Sequence, residues 1–132
     1  MKRLENVRAA PRQQTVLIVE DSLTARTMLE YVLAAAGYQV KTAGDGLEGQ
    51  QALADNEVDI VLSDIDMPNL DGWALTRYIR SQAHLRHLPV VLLTGLQTEA
   101  DRQRSVAAGA NGYLLKENFR HKDLLTVVRR FI

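Results

Sequence analysis

Apolar residues arrive along this chain in short continuous runs, separated by stretches with a helical beat. The first run, TVLIV at 15–19, is β-branched and uninterrupted, as expected of a strand buried on both faces. Ser22 can cap the next segment, where Leu29, Val32, Leu33 and Ala36 recur at helical spacing before Gly37 stops it. YQVKTA (38–43) alternates like a half-exposed strand, and GDG (44–46) turns the chain. A thin helix is expected over 47–55, its apolar stripe resting on Leu47 and nearby Ala and Leu residues. VDIVLS (58–63) is a third strand, and GWALTRYIRSQ (72–82) places Leu75, Tyr78 and Ile79 on one helical face. PVVLLT (89–94) is a fourth strand, opened by Pro89 where a missing N–H is tolerated. TEADRQRSVAAG (98–109) puts acids early and arginines later, as the helix dipole prefers, and ends on Gly109. GYLLK (112–116) is a fifth strand, and Leu124, Val127, Val128 and Phe131 mark a closing helix.

Five strand–helix alternations with apolar strands predict an α/β fold: an open parallel sheet with helices on both faces. Right-handed crossovers bring every strand's C-terminal end to one edge, and such sheets bind ligands along that edge. Residues 15–132 therefore read as one domain. Residues 1–14 (MKRLENVRAAPRQQ) have no strand period, and Pro11 would break a helix, so they read as a linker or tail.

Composition narrows the picture. The chain has 132 residues, enough for one core. Its 16 basic and 16 acidic side chains cancel, which gives no reason to expect nucleic acid or an anionic membrane as partner. Cysteine is absent, removing disulfides and thiolate chemistry. No apolar run approaches the roughly 18 residues of a membrane span, and the N-terminus lacks the apolar region of a signal peptide. A cytoplasmic location is the expectation.

The candidate chemistry lies at the strand ends. Glu20 and Asp21 follow the first strand, Asp64 the third, Thr94 ends the fourth and Lys116 the fifth. If the first and third strands are neighbours, three carboxylates crowd together, and two of them 4 Å apart at an effective dielectric near 20 repel by about 4 kcal/mol. Either their pKa values rise or a cation sits among them. Hard oxygen ligands with room for water suit Mg²⁺. An ammonium and a hydroxyl opposite such an ion make a phosphoryl-binding set. No Gly-x-x-x-x-Gly-Lys-[Ser/Thr] loop for a nucleotide is present, whereas a carboxylate can itself be the nucleophile. Asp64 is the natural acceptor.

VLIVEDS, VDIVLSDIDMPNLDG, PVVLLTG and AGANGYLLK, in that order, resemble the successive signatures of receiver domains of two-component response regulators, of the chemotaxis type. The resemblance covers residues 15–132, and Asp-x-x-Met-Pro-x-x-Asp-Gly at 64–72 is its most specific motif. It implies a flavodoxin-like sheet of order 2-1-3-4-5. It implies Asp64 as phosphoacceptor, and Mg²⁺ held by Asp21 and Asp64, by Glu20 through water and by the backbone carbonyl of Asp66. Thr94 and Lys116 would bind the phosphate, and Thr94 with Tyr113 would form the switch. Asp66 and Leu96 occupy the positions that tune phosphoryl lifetime. The partners implied are a histidine kinase or its phosphotransfer domain, and a downstream protein at the surface of the fourth helix, fifth strand and fifth helix. Such a domain assists its own phosphorylation and dephosphorylation rather than turning over an external substrate. Glu117 stands where the family usually has a proline after its lysine, so a trans peptide is expected there. LLKENFRHKDLLTVVRRFI at the C-terminus resembles receivers fused to chemotaxis-type histidine kinases.

Blander roles compete at several positions. Glu20 and Asp21 could merely cap a helix, and Asp71 before Gly72 reads as a helix-start residue. Trp73 reads as packing or partner contact, His84, His87 and His121 as surface residues without ligand spacing, and the fourth helix's arginines as a solvated face. An enzyme alternative is a haloacid-dehalogenase-type phosphatase, with Asp64 as nucleophile and Asp66 as general acid. That family places its nucleophile after the first strand and further acids after the lysine, an order this chain does not follow.

Overall fold

The computed structural model describes residues 13–95, 98–116 and 120–132. Strands and helices alternate: β1 (Thr15–Val19), α1 (Leu23–Ala35), β2 (Gln39–Ala43), α2 (Gly46–Asp55), β3 (Ile60–Asp64), α3 (Gly72–Ser81), β4 (Val90–Thr94), α4 (Glu99–Ala108), β5 (Gly112–Leu115) and α5 (His121–Phe131). All strand pairings are parallel, in the order β2-β1-β3-β4-β5.

The period of two along each strand explains why the strands are apolar throughout. On β1, Leu17 and Val19 join one core with Leu53, Leu75, Ile79 and Ala108, which belong to α2, α3 and α4. Val16 and Ile18 join the other core with Leu29, Leu33, Leu124 and Val128, from α1 and α5. Every residue of β1, β3 and β4 is buried, whereas edge strand β2 is partly exposed, as its alternation predicted.

Helix starts are held by side chains that the sequence places there. Ser22, Asp45, Asp71 and Thr98 each accept a backbone N–H in the first turn of the helix they cap. Gly109 ends α4 in the left-handed conformation at φ 101°, where a Cβ would be strained.

Some expectations needed correction. Leu47 is 51% exposed, and the face of α2 turned to the sheet is Gly46, Gly49 and Leu53. The helix starts one residue earlier than the apolar stripe suggested, and Gly49 lets it approach closely: a Cβ there would lie 3.2 Å from Val19 Cγ2. Ala36 is an exposed C-cap outside the stripe of α1. α4 has no basic residue in its last turn; Arg102 and Arg104 sit mid-helix.

Candidate functional site

Register alone assembles the site. Val19 pairs with Ser63 across β1 and β3, so the next residues, Glu20 and Asp64, emerge side by side at the C-terminal edge. Thr94 pairs with Leu115 across β4 and β5, and Lys116 follows at once, its N–H donating to the Thr94 carbonyl at 2.7 Å. Residues 96 positions apart thus meet within one short edge, as the sequence predicted.

Glu20, Asp21 and Asp64 each offer a carboxylate oxygen within 4.8 Å of the others. Their environments differ. Glu20 is 0% exposed, Asp64 6%, and Asp21 faces solvent. Glu20 Oε2 accepts the Ser22 N–H at 3.0 Å, which fixes the carboxylate, and the Arg26 guanidinium donates to the Glu20 carbonyl at 2.9 Å. Glu20 therefore does more than cap α1, a task that falls to the Ser22 hydroxyl.

Lys116 bridges the buried acids. Its Nζ lies 2.7 Å from Glu20 Oε1 and donates to Asp64 Oδ2 at 3.1 Å. Burial works against the ammonium, but its bonds to Glu20 and Asp64 prevail and hold its pKa above the ordinary lysine value. The Asp64 carboxyl is pushed above the usual carboxylate range, first by burial and then by repulsion from Glu20, with Lys116 only partly offsetting both. One ammonium does not neutralise this cluster.

The residues fit a hard divalent ion. Glu20 Oε1 is fully buried, with the Lys116 ammonium 2.7 Å away. Three carboxylates against one ammonium leave excess negative charge, and their oxygens are a donor set that Mg²⁺ satisfies.

The remaining predicted residues fall as follows. Thr94 is buried at the end of β4. Asp66 is exposed in the loop after β3. Tyr113 is half-buried on β5, packed against the core beneath α4, and lines a pocket of about 150 Å³ with Arg102, Val106 and Asn111. Leu96 and Glu117 lie outside the described residues. Asp71 is the N-cap of α3, accepting the Ala74 N–H at 2.8 Å. Trp73 is buried at the start of α3. Its indole N–H donates to Ser105 Oγ at 2.9 Å, and the Arg104 guanidinium lies 3.8 Å from the ring centroid. The α4 arginines are exposed, as expected of a solvated face, and one of them also packs on an aromatic ring.

Sequence reasoning missed two features. Arg80 donates to the carbonyls of Gly109 and Leu88 and to Asn111 Oδ1, tying α3 to the start of β5. Asn69, the one non-glycine residue at positive φ (70°) among the described residues, donates to Asp45 Oδ2 at 2.7 Å. An Asn-Leu-Asp-Gly turn after a Pro was the available signal for the second.

A parallel sheet of this order, with three acids and a lysine at its C-terminal edge, defines a doubly wound α/β protein built around an acidic pocket. The family model of the response regulator receiver domain matches residues 16–129. The sensor histidine kinase CheAY of Helicobacter pylori is 33% identical over 136 residues, covering 100% of this chain and 17% of that protein. Among solved structures, the chemotaxis protein CheY4 of Vibrio cholerae superposes with a TM-score of 0.87 at 32% identity, covering 92% of this chain and 100% of that one. The receiver domain of the sensor histidine kinase PA1611 of Pseudomonas aeruginosa, solved with a magnesium ion coordinated in its active-site cleft, gives 0.83 at 33% identity, covering 91% and 98%. The chain belongs to the response regulator receiver family and is a phosphoacceptor signalling domain of the chemotaxis type. It spans about half the length, or less, of the curated relatives it matches. The phosphatase alternative finds no support in these comparisons.

Proposed function

We propose that Asp64 takes a phosphoryl group from the phosphohistidine of a histidine kinase or its phosphotransfer domain. A carboxylate oxygen of Asp64 forms the new O–P bond while the N–P bond breaks; the imidazole keeps the electron pair and takes a proton. The observation that carries this reading is Lys116 held between Glu20 and Asp64, 2.7 and 3.1 Å away, with Asp21 completing a cluster of three carboxylates.

Asp21, Asp64 and the Asp66 carbonyl, with Glu20 through water, would hold Mg²⁺, which supplies charge neutralisation for the incoming phosphoryl oxygens. The chain's own residues do the rest. Lys116 leaves the carboxylates to pair with a phosphoryl oxygen, and the Thr94 hydroxyl donates to another. Movement of Thr94 frees space that the Tyr113 ring fills from its half-buried position, and this changes the surface of α4, β5 and α5. Asp66 and Leu96 are assigned the role of setting the lifetime of the acyl phosphate. The domain thereby assists its own phosphorylation and dephosphorylation.

We assign residues 15–132 to this receiver and residues 1–14 to a linker or tail, of which 1–12 lie outside the described residues. The likeness to a CheAY kinase supports a place as the receiver of a hybrid chemotaxis histidine kinase, and we assign it protein partners rather than nucleic acid or membrane, in the cytoplasm. No helix among the described residues is long and apolar enough to cross a membrane.

The test is phosphotransfer from a labelled chemotaxis-type phosphohistidine domain, run against a panel of unrelated donors. Fast, Mg²⁺-dependent label transfer from the chemotaxis donor alone is expected. Equal rates from every donor would remove the chemotaxis assignment, and no transfer from any would remove the phosphoacceptor role.

A further inference from the structure

The loop between β3 and α3 carries Asp66 and is closed at its base and pinned at its tip. At the base, the Gly72 N–H donates to the Ile65 carbonyl at 2.9 Å. A Cβ on Gly72 would collide with the Asp64 carbonyl and sit 2.9 Å from Ile65 Cα, so the two ends of the loop touch backbone to backbone. At the tip, the Leu70 N–H donates back to the Pro68 carbonyl at 2.7 Å around Asn69, whose φ is 70°. A two-residue hydrogen bond about a positive φ is the rarer, strained form of γ-turn. Strained backbone of this kind persists only when its surroundings over-determine it.

The surroundings that do so come from the β2–α2 corner. Asn69 Nδ2 donates to Asp45 Oδ2 at 2.7 Å. Asp45 is itself immobilised: it is buried, and its Oδ1 accepts the Glu48 N–H at 2.8 Å as the N-cap of α2. Beside it, the Gly46 N–H donates to the Leu70 carbonyl at 3.2 Å, and a Cβ on Gly46 would lie 2.7 Å from Leu70 Cβ. α2 in turn packs against the sheet through Gly49 and Leu53. A rigid corner thus grips the tip of the loop through a side-chain amide, a backbone amide and a close glycine contact.

We propose that the Asn69–Asp45 hydrogen bond is a positioning clasp for the metal site, fixing the loop that presents the Asp66 carbonyl. This rests on the assignment of Asp66 as a backbone ligand under the proposed function. Neither Asn69 nor Asp45 touches the reacting atoms. They act by denying the loop alternative conformations, so that a carbonyl ligand is in place before the ion arrives. Groups that orient a ligand in this way contribute about 10–100-fold to metal affinity.

The experiment is Mg²⁺ titration by calorimetry, with amide hydrogen exchange measured separately in EDTA. Asn69→Gly keeps the left-handed backbone cheap and removes only the amide. It is expected to weaken Mg²⁺ binding by about tenfold, and to speed exchange of the Gly46 and Leu70 amides in EDTA, while leaving the unfolding midpoint in EDTA nearly unchanged. Asn69→Asp adds negative charge near the ion yet opposes Asp45, and it too is expected to bind Mg²⁺ more weakly. Combining it with Asp45→Asn restores one amide–carboxylate bond with the donor on the other side, and is expected to recover affinity. Asp21→Asn serves as the control for the site. If it weakens Mg²⁺ binding while Asn69→Gly binds as wild type, the clasp is overturned and the site stands. If neither alters Mg²⁺ binding, the site assignment fails and the clasp falls with it.

Discussion

Replacing Lys116 with methionine keeps an unbranched stem of similar length and removes the ammonium between Glu20 and Asp64. The two carboxylates then face each other with oxygens within 4.8 Å, a repulsion of about 3.5 kcal/mol at an effective dielectric near 20. Removing one partner of a buried pair costs about 3–5 kcal/mol in general, of the same size. Lys116→Met should therefore lower stability at neutral pH without metal by about 3 kcal/mol. Two further dependences identify the cause. Asp64 already titrates above the usual carboxylate range through burial and the nearby Glu20, so its ionised form is disfavoured in the fold. Stability linked to it is present at low pH and is lost as pH rises through the raised value. Without the ammonium that value rises further, so the deficit of the variant should shrink as the solution becomes mildly acidic. Mg²⁺ should shrink it as well, by supplying the missing positive charge. Urea unfolding of both proteins, in EDTA and in Mg²⁺ across this pH range, reads all three. A deficit that is small, or equal at every pH and in both metal conditions, would refute the electrostatic account of the site.

The same reasoning predicts that Asp64→Asn in EDTA at neutral pH is more stable than wild type by urea midpoint and lacks the loss of stability with rising pH that Asp64 contributes; a less stable variant would contradict the raised pKa. Gly72→Ala presses a methyl into the Asp64 carbonyl, so it should cost about 1–3 kcal/mol by denaturant unfolding and also slow phosphorylation. Ser105→Ala leaves the buried Trp73 indole N–H without its partner and should cost about 1–3 kcal/mol, against a smaller loss for Arg104→Ala, which removes only the ring contact.

How much of this was legible in the sequence depended on the kind of signal. The β1, β3 and β4 strands declared themselves because burial on both faces demands uninterrupted apolar runs, and their ends located Glu20, Asp64 and Thr94, while Lys116 followed from the shorter, half-buried run of β5. Periodicity failed at α2 because its buried face is glycine, which hydrophobic pattern does not register; Leu47 drew attention in its place and is exposed. Adjacent acids Glu20 and Asp21 look equivalent in the sequence, yet one is sealed and the other solvated, although both carboxylates reach the same cluster. The Asn69–Asp45 bond and the grip of Arg104 and Ser105 on Trp73 join side chains 24 to 32 positions apart. No local pattern encodes such a pairing; it follows only once the sheet has fixed where α2, α3 and α4 lie.

The account is tested most directly by intact-mass analysis after incubation with acetyl phosphate and Mg²⁺, comparing wild type with Asp64→Asn. A single phosphoryl adduct on wild type, abolished by EDTA and absent from the variant, is the predicted result. An adduct of equal yield on Asp64→Asn would place the acceptor elsewhere and contradict the central claim.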